Sequence, residues 1–89
     1  MSLDTQIANY YEKLVVDDLK ARPESAGKDE NELADIACVA LNKLPARYYR
    51  FSVDMAFYLS SQDQQRMEDE VKVAVTEALD FVEHHNRGR

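Results

Sequence analysis

The chain has 89 residues, a formal net charge of -6 and 45% apolar residues. This length makes one domain, residues 1–89. A lone monomer of this size is marginally stable, and oligomerisation commonly adds stability. The apolar fraction excludes a disordered chain. The acidic charge argues against binding of long nucleic acids, because phosphate binding needs a broad positive field.

The single cysteine and the first residues indicate the cellular compartment in which the protein is expected. One thiol, Cys38, forms neither an intramolecular disulfide nor a thiolate zinc site, so a reduced setting is the simplest inference. The opening residues, MSLDTQIANYY, lack the basic start and apolar stretch of a signal peptide. No apolar run approaches the length needed to cross a membrane. We therefore expect a cytoplasmic protein without membrane insertion.

The first predicted helix runs from Leu3 to about Lys20. Ser2 or Asp4 is its expected N-cap. Pro23 ends it, because the residue before a proline avoids the α region, and a polar loop follows over residues 22–28. The apolar residues of this segment have the spacing of one helix face: Ile7, Tyr10, Tyr11, Leu14, Val15 and Leu19.

The second predicted helix begins after Asp29, which is followed three residues later by Glu32 in a pattern like a capping box. Pro45 stops it, and Lys43 lies in its last turn. With Ala34 and Cys38 on its other side, this helix is nearly apolar all round, which predicts a central helix buried by its own chain or by a partner chain. Cys38 is then a small buried residue. The main stripe is Leu33, Ile36, Ala37, Ala40, Leu41 and Leu44.

Residues 51–59 show a different period, with apolar residues at every second position from Phe51 to Leu59. Strict alternation favours an extended strand. The chain has no second strand pattern, and an isolated strand leaves its backbone groups unpaired. The segment therefore either pairs with its own copy in a partner chain or forms a short helix.

The last predicted helix runs from about Gln62 to His84 or His85, capped by Ser60 or Ser61. The tail, residues 85–89, is expected to fray. We predict no metal at the two histidines, because adjacent residues on a helix point about 100° apart. The pattern as a whole predicts a mainly α, three-to-four-helix domain with one short extended segment.

A basic, tyrosine-rich corner follows the second helix. Arg47, Tyr48, Tyr49 and Arg50 are consecutive, and Lys43 adds a third positive charge nearby. Guanidinium groups bind phosphate, so this patch is compatible with a small anionic ligand. In the alternative interpretation the tyrosines pack against the first helix and the arginines pair with carboxylates such as Asp54, Asp35 or Glu68.

Two strings of this sequence, NYYEKLVVDDL at residues 9–19 and DIACVALNKLPARYYRFSVDMAFYLS at residues 35–60, resemble the late competence development protein family, ComFB. The most specific part is LNKLPARY, residues 41–48. The resemblance implies a small cytoplasmic, mainly helical homodimer linked to natural competence and type IV pili. It also implies binding of a cyclic dinucleotide, chiefly cyclic di-GMP, as in some relatives. One relative carries several cysteines suited to holding zinc, whereas this chain has only Cys38, so the resemblance implies no metal here.

Three classes of function can be compared from the sequence. The first is a dimeric receptor for a cyclic dinucleotide, in which Lys43, Arg47, Tyr48, Tyr49 and Arg50 meet two phosphates and two purines across a two-fold axis. The second is a protein–protein adaptor of the pilus or DNA-uptake machinery whose acidic surface meets a basic partner. The third is an enzyme. We predict no enzyme, no catalytic residue and no cofactor, because nothing assembles a nucleophile, a base and an oxyanion site.

Overall fold

The computed structural model describes residues 7–50 and 59–87. Within these ranges the chain forms three α-helices: α1 (Tyr10–Ala21), α2 (Glu30–Asn42) and α3 (Ser61–Arg87). Two strands of two residues each, β1 (Ala8–Asn9) and β2 (Tyr48–Tyr49), pair antiparallel. The prediction of a mainly helical domain is therefore confirmed.

The three helices pack against one another around a single apolar core. Each contributes one side, and α3 contributes half of the buried residues in the described ranges. In α1 and α2 the buried residues belong to the predicted helix faces, so the helical periodicity located this part of the core. The buried residues are Tyr11, Val15, Leu19, Ile36, Ala40, Met67, Val71, Ala74, Val75 and Ala78.

Helix α1 begins at Tyr10 and not at Leu3 as predicted. Its N-cap is Asn9, whose side-chain oxygen accepts a hydrogen bond from the Tyr11 N–H at 3.2 Å. Asn9 belongs to β1, so the chain is extended up to the cap and the helix cannot start earlier. The alternative caps Ser2 and Asp4 lie outside the described residues.

The connection from α1 to α2 is the predicted loop. Arg22 ends α1 and holds it against α3: its Nε lies 2.6 Å from Asp18, and its guanidinium donates to the Lys72 carbonyl at 2.9 Å. Gly27 has a φ of 85°, a conformation that residues with a side chain rarely adopt. Asp29 then caps α2 by accepting from the Glu32 N–H at 2.8 Å, as its capping-box pattern predicts.

Helix α2 is less buried than predicted. Ile36 and Ala40 face the core, whereas Ala34 and Cys38 lie on an exposed side. The prediction that Cys38 is buried is wrong for the single chain, because α1 and α3 both pack against the opposite side of the helix. Burial of this side by a second chain stays a prediction.

The strand β2 finds its partner within the same chain. Ala8 pairs with Tyr49 and Asn9 with Tyr48. The sequence shows no strand pattern at β1, because two residues before a helix are too few to show an alternation. The predicted strand or helix over residues 51–58 lies outside the described residues.

Helix α3, with 27 residues, is the longest helix in the described ranges. The Ser60 hydroxyl accepts from the Asp63 N–H at 3.0 Å and so caps the helix, as predicted for Ser60 or Ser61. The helix continues to Arg87, beyond the predicted end at His84 or His85. None of the helices in the described ranges is both long enough and apolar enough to cross a membrane.

Candidate functional site

The backbone of Arg47 is held against the start of α1. Its N–H donates to the Asn9 side-chain oxygen at 2.8 Å, and its carbonyl accepts from the Tyr10 N–H at 2.6 Å. The same Asn9 oxygen caps the helix. One side chain thus joins the two segments, so the position of Arg47 depends on the N-terminus of α1.

We expect Asn9→Ala to lower the free energy of unfolding by about 1–2 kcal/mol, because it removes a helix cap and the acceptor for the Arg47 N–H. Urea denaturation followed by circular dichroism measures the loss. Asn9→Asp keeps an acceptor at the same place and is the matched control, expected near wild type. An alanine variant as stable as wild type would contradict this role of Asn9.

Beside Arg47 lies a polar cavity of about 400 Å³, which we call the corner cavity. It is formed where the segment between α2 and β2 passes the first turns of α3. Two arginines from distant parts of the sequence, Arg47 and Arg66, line it together. Its other described lining residues are Tyr11, Pro45, Ala46, Leu59, Asp63 and Met67.

The carboxylates near the corner cavity partly balance its positive charge. Arg66 lies 3.7 Å from Asp63 and 3.7 Å from Glu70. Glu70 also accepts a hydrogen bond from the Tyr11 hydroxyl at 3.1 Å. Burial of the Tyr11 ring, with the hydrogen bond to Glu70, raises the pKa of this hydroxyl, so it stays protonated and keeps donating.

A larger groove of about 700 Å³ runs along α3, and we call it the α3 groove. Lys43 and Leu44 form one wall, and Val73 lies on the helix side with 58% of its surface exposed. The Lys43 ammonium lies 3.2 Å from Glu77. Arg66 lines this groove as well as the corner cavity, so the two cavities meet at its side chain.

The structure separates the five residues predicted to bind a ligand. Arg47 lines the corner cavity and Lys43 lines the α3 groove. Tyr48 is 65% exposed, whereas Tyr49 packs edge-on against Tyr10 with ring centroids 5.8 Å apart. Arg50 directly follows β2 and is exposed.

The extended backbone of β2 explains this separation. Successive side chains of a strand point to opposite sides, so Tyr48 and Tyr49 differ in exposure. The interpretation in which tyrosines pack on the first helix is correct for Tyr49. Among the described residues, neither Asp35 nor Glu68 forms an ion pair with Arg47, and Asp54 lies outside them.

Arg66 is the residue that sequence reasoning missed. It lies among polar residues at the start of α3, on a side that the pattern assigns to solvent. Arg66 precedes the buried Met67 by one position, which is a weak sign that it borders the core. Only the passage of residues 43–47 across the helix brings it next to Arg47.

The described part of the chain contains no group of three or more histidine, cysteine, aspartate or glutamate residues placed to hold a metal ion. Two arginines line the corner cavity, and the exposed Tyr48 follows Arg47 in the sequence. The fold and this corner define a small, mainly helical protein with a two-stranded antiparallel sheet.

The sequence profile of the late competence development protein ComFB matches residues 8–86. The chain therefore belongs to the ComFB family, as its LNKLPARY segment indicated, and membership suggests a function related to late competence. No curated protein and no solved structure matches the chain significantly.

Proposed function

We propose that this ComFB-family protein is a homodimeric receptor for a cyclic dinucleotide, chiefly cyclic di-GMP, that acts on competence and type IV pili. The observation that carries the proposal is the corner cavity, where Arg47 and Arg66 come together. Two guanidinium groups at one cavity suit a phosphodiester, because each presents donors that match two phosphate oxygens.

Exposed aromatic surface, cavity volume and charge also suit the bases, the size and the negative charge of such a ligand. Tyr48 is an exposed aromatic ring one residue after Arg47, and stacking on a base needs such a ring. The volumes of the corner cavity and the α3 groove both lie within the range of about 300–1,000 Å³ typical of small-molecule sites. The net charge of -6 repels long nucleic acids, whereas a local cationic corner still attracts a small dianion.

A homodimer suits a ligand that has two equal halves. Cyclic di-GMP has approximate two-fold symmetry, and a dimer with a two-fold axis offers the same corner to each half. The exposed small-residue side of α2, with Ala34 and Cys38, also fits burial by a second copy. One ligand per two chains is therefore the expected stoichiometry.

Isothermal titration calorimetry with cyclic di-GMP tests the proposal. We expect binding with a dissociation constant in the micromolar range or below and a stoichiometry of one ligand per dimer. GMP, which has one guanine and one phosphate, is the control ligand and should bind much more weakly. Absence of heat with cyclic di-GMP at about 50 µM protein would remove the receptor function.

The alternative is a protein–protein adaptor of the pilus or DNA-uptake machinery without a small ligand. The α3 groove favours it, since exposed Val73 lies among three carboxylates, Asp69, Glu70 and Glu77, and two cations. Such a surface suits a basic amphipathic segment. If cyclic di-GMP gives no heat, capture of a basic pilus protein at low salt becomes the test of this function.

A further inference from the structure

Arg66 stands between the two cavities. Lys43 and Leu44 line the α3 groove, whereas Arg47 lines the corner cavity. Arg66 lines both, and 64% of its side chain is exposed. A ligand that fills the corner cavity and extends into the groove therefore passes directly over its guanidinium.

The ion pairs of Arg66 are long. Both the Asp63 and the Glu70 contacts measure 3.7 Å, whereas a charge-assisted hydrogen bond measures about 2.7–2.9 Å. Arg22 provides the comparison within the same chain: it lies 2.6 Å from Asp18, and only 17% of either side chain is exposed. Exposed pairs such as those of Arg66 contribute little to stability, so a better anion readily replaces them.

Neither carboxylate depends on Arg66 for its position. Glu70 keeps the hydrogen bond from the Tyr11 hydroxyl. Asp63 lies in the first turn of α3, where a negative charge is favourable. Departure of the guanidinium therefore leaves both carboxylates in stable surroundings, whereas an anionic ligand gains a bidentate donor.

We propose that Arg66 is a phosphate-binding residue of this site and that ligand binding moves its guanidinium from Asp63 and Glu70 to a ligand phosphate. This inference rests on the proposed receptor function and adds to it an exchange of ionic partners at Arg66. Because Asp63 competes with the phosphate for Arg66, loss of the Asp63 charge strengthens binding.

Calorimetry on four variants tests the inference, with cyclic di-GMP and inorganic pyrophosphate as separate probes. Arg66→Ala is expected to weaken binding of both by about tenfold or more, the effect of removing a hydrogen bond to a charged group. The affinity of Arg66→Lys should lie between those of Arg66→Ala and wild type, because lysine keeps the positive charge and lacks the planar pair of donors of a guanidinium. Asp63→Asn is expected to tighten binding by about threefold or more. Lys20→Ala is the matched control for Arg66→Ala, because it also removes one positive charge, at an exposed residue on the last turn of α1.

The two probes separate this inference from the receptor function. If cyclic di-GMP binds to wild type and to Arg66→Ala equally, the assignment of Arg66 is wrong and the receptor function stands. If only pyrophosphate binds and Arg66→Ala abolishes it, the assignment stands and the receptor function falls. If neither probe binds, both are wrong. Unchanged affinity in Asp63→Asn overturns the exchange of partners.

Discussion

Arg47→Ala is expected to weaken cyclic di-GMP binding by at least about tenfold, with the fold and the oligomeric state unchanged. The exposed Arg47 side chain lines the corner cavity, whereas its backbone makes the hydrogen bonds to Asn9 and Tyr10. The substitution therefore removes the guanidinium and leaves the local backbone contacts in place. A hydrogen bond to a charged group contributes about 1.5–3 kcal/mol, which corresponds to a factor of about 10–150 in affinity.

Symmetry makes this expected effect larger than that of most single substitutions. If one ligand lies on the two-fold axis of a homodimer, each substitution acts at both ends of the ligand. The free-energy losses at the two ends then add, and the factor of about 10 becomes about 100 or more. A loss of this size would move micromolar binding beyond the range of calorimetry.

Arg47→Lys is the matched variant for Arg47→Ala. It keeps the charge and loses the planar fork, so we expect intermediate affinity. Size-exclusion chromatography with light scattering and circular dichroism check that the variants assemble and fold as wild type does. Wild-type affinity in a folded Arg47→Ala protein would contradict the site, even if the protein binds cyclic di-GMP elsewhere.

The elements predicted correctly are those with short-range causes. The cap at Asp29 needs only Glu32 three residues later, and the end of α1 needs only Pro23. The core positions follow from the 3.6-residue period of each helix. Each of these signals lies within a few residues of the structure it specifies, so the sequence shows them directly.

The features that were missed depend on contacts between distant segments. The apolar stripe continues smoothly from Tyr10 back to Ile7, so nothing local shows that β2 pairs with residues 8–9 and delays the helix. Arg66 likewise has an ordinary surface environment until residues 43–47 cross it. The burial of Cys38 follows from the apolar residues all round α2, a pattern that does not show which side of the helix its neighbours cover.

Ile36→Ala is the substitution with the largest expected effect on stability. Ile36 lies in the middle of α2 with 1% of its surface exposed, and among the described residues it is the largest of the fully buried side chains by volume. Alanine at this place loses the transfer free energy of the removed carbons and leaves a cavity, at a cost of about 2–5 kcal/mol. A domain of this size has a total stability of only about 4–13 kcal/mol.

Urea denaturation of Ile36→Ala and of Ile7→Ala measures this effect with a matched control. Ile7 is 46% exposed and precedes β1, so the same side-chain deletion there should cost about 0.5 kcal/mol. Each experiment is run at two protein concentrations, because a homodimer makes the unfolding midpoint rise with concentration. Since Ile36 faces α1 and α3 of its own chain, the difference between the two variants should be the same at both concentrations. Equal losses at Ile36 and Ile7 would mean that the three-helix core does not carry the stability of the domain.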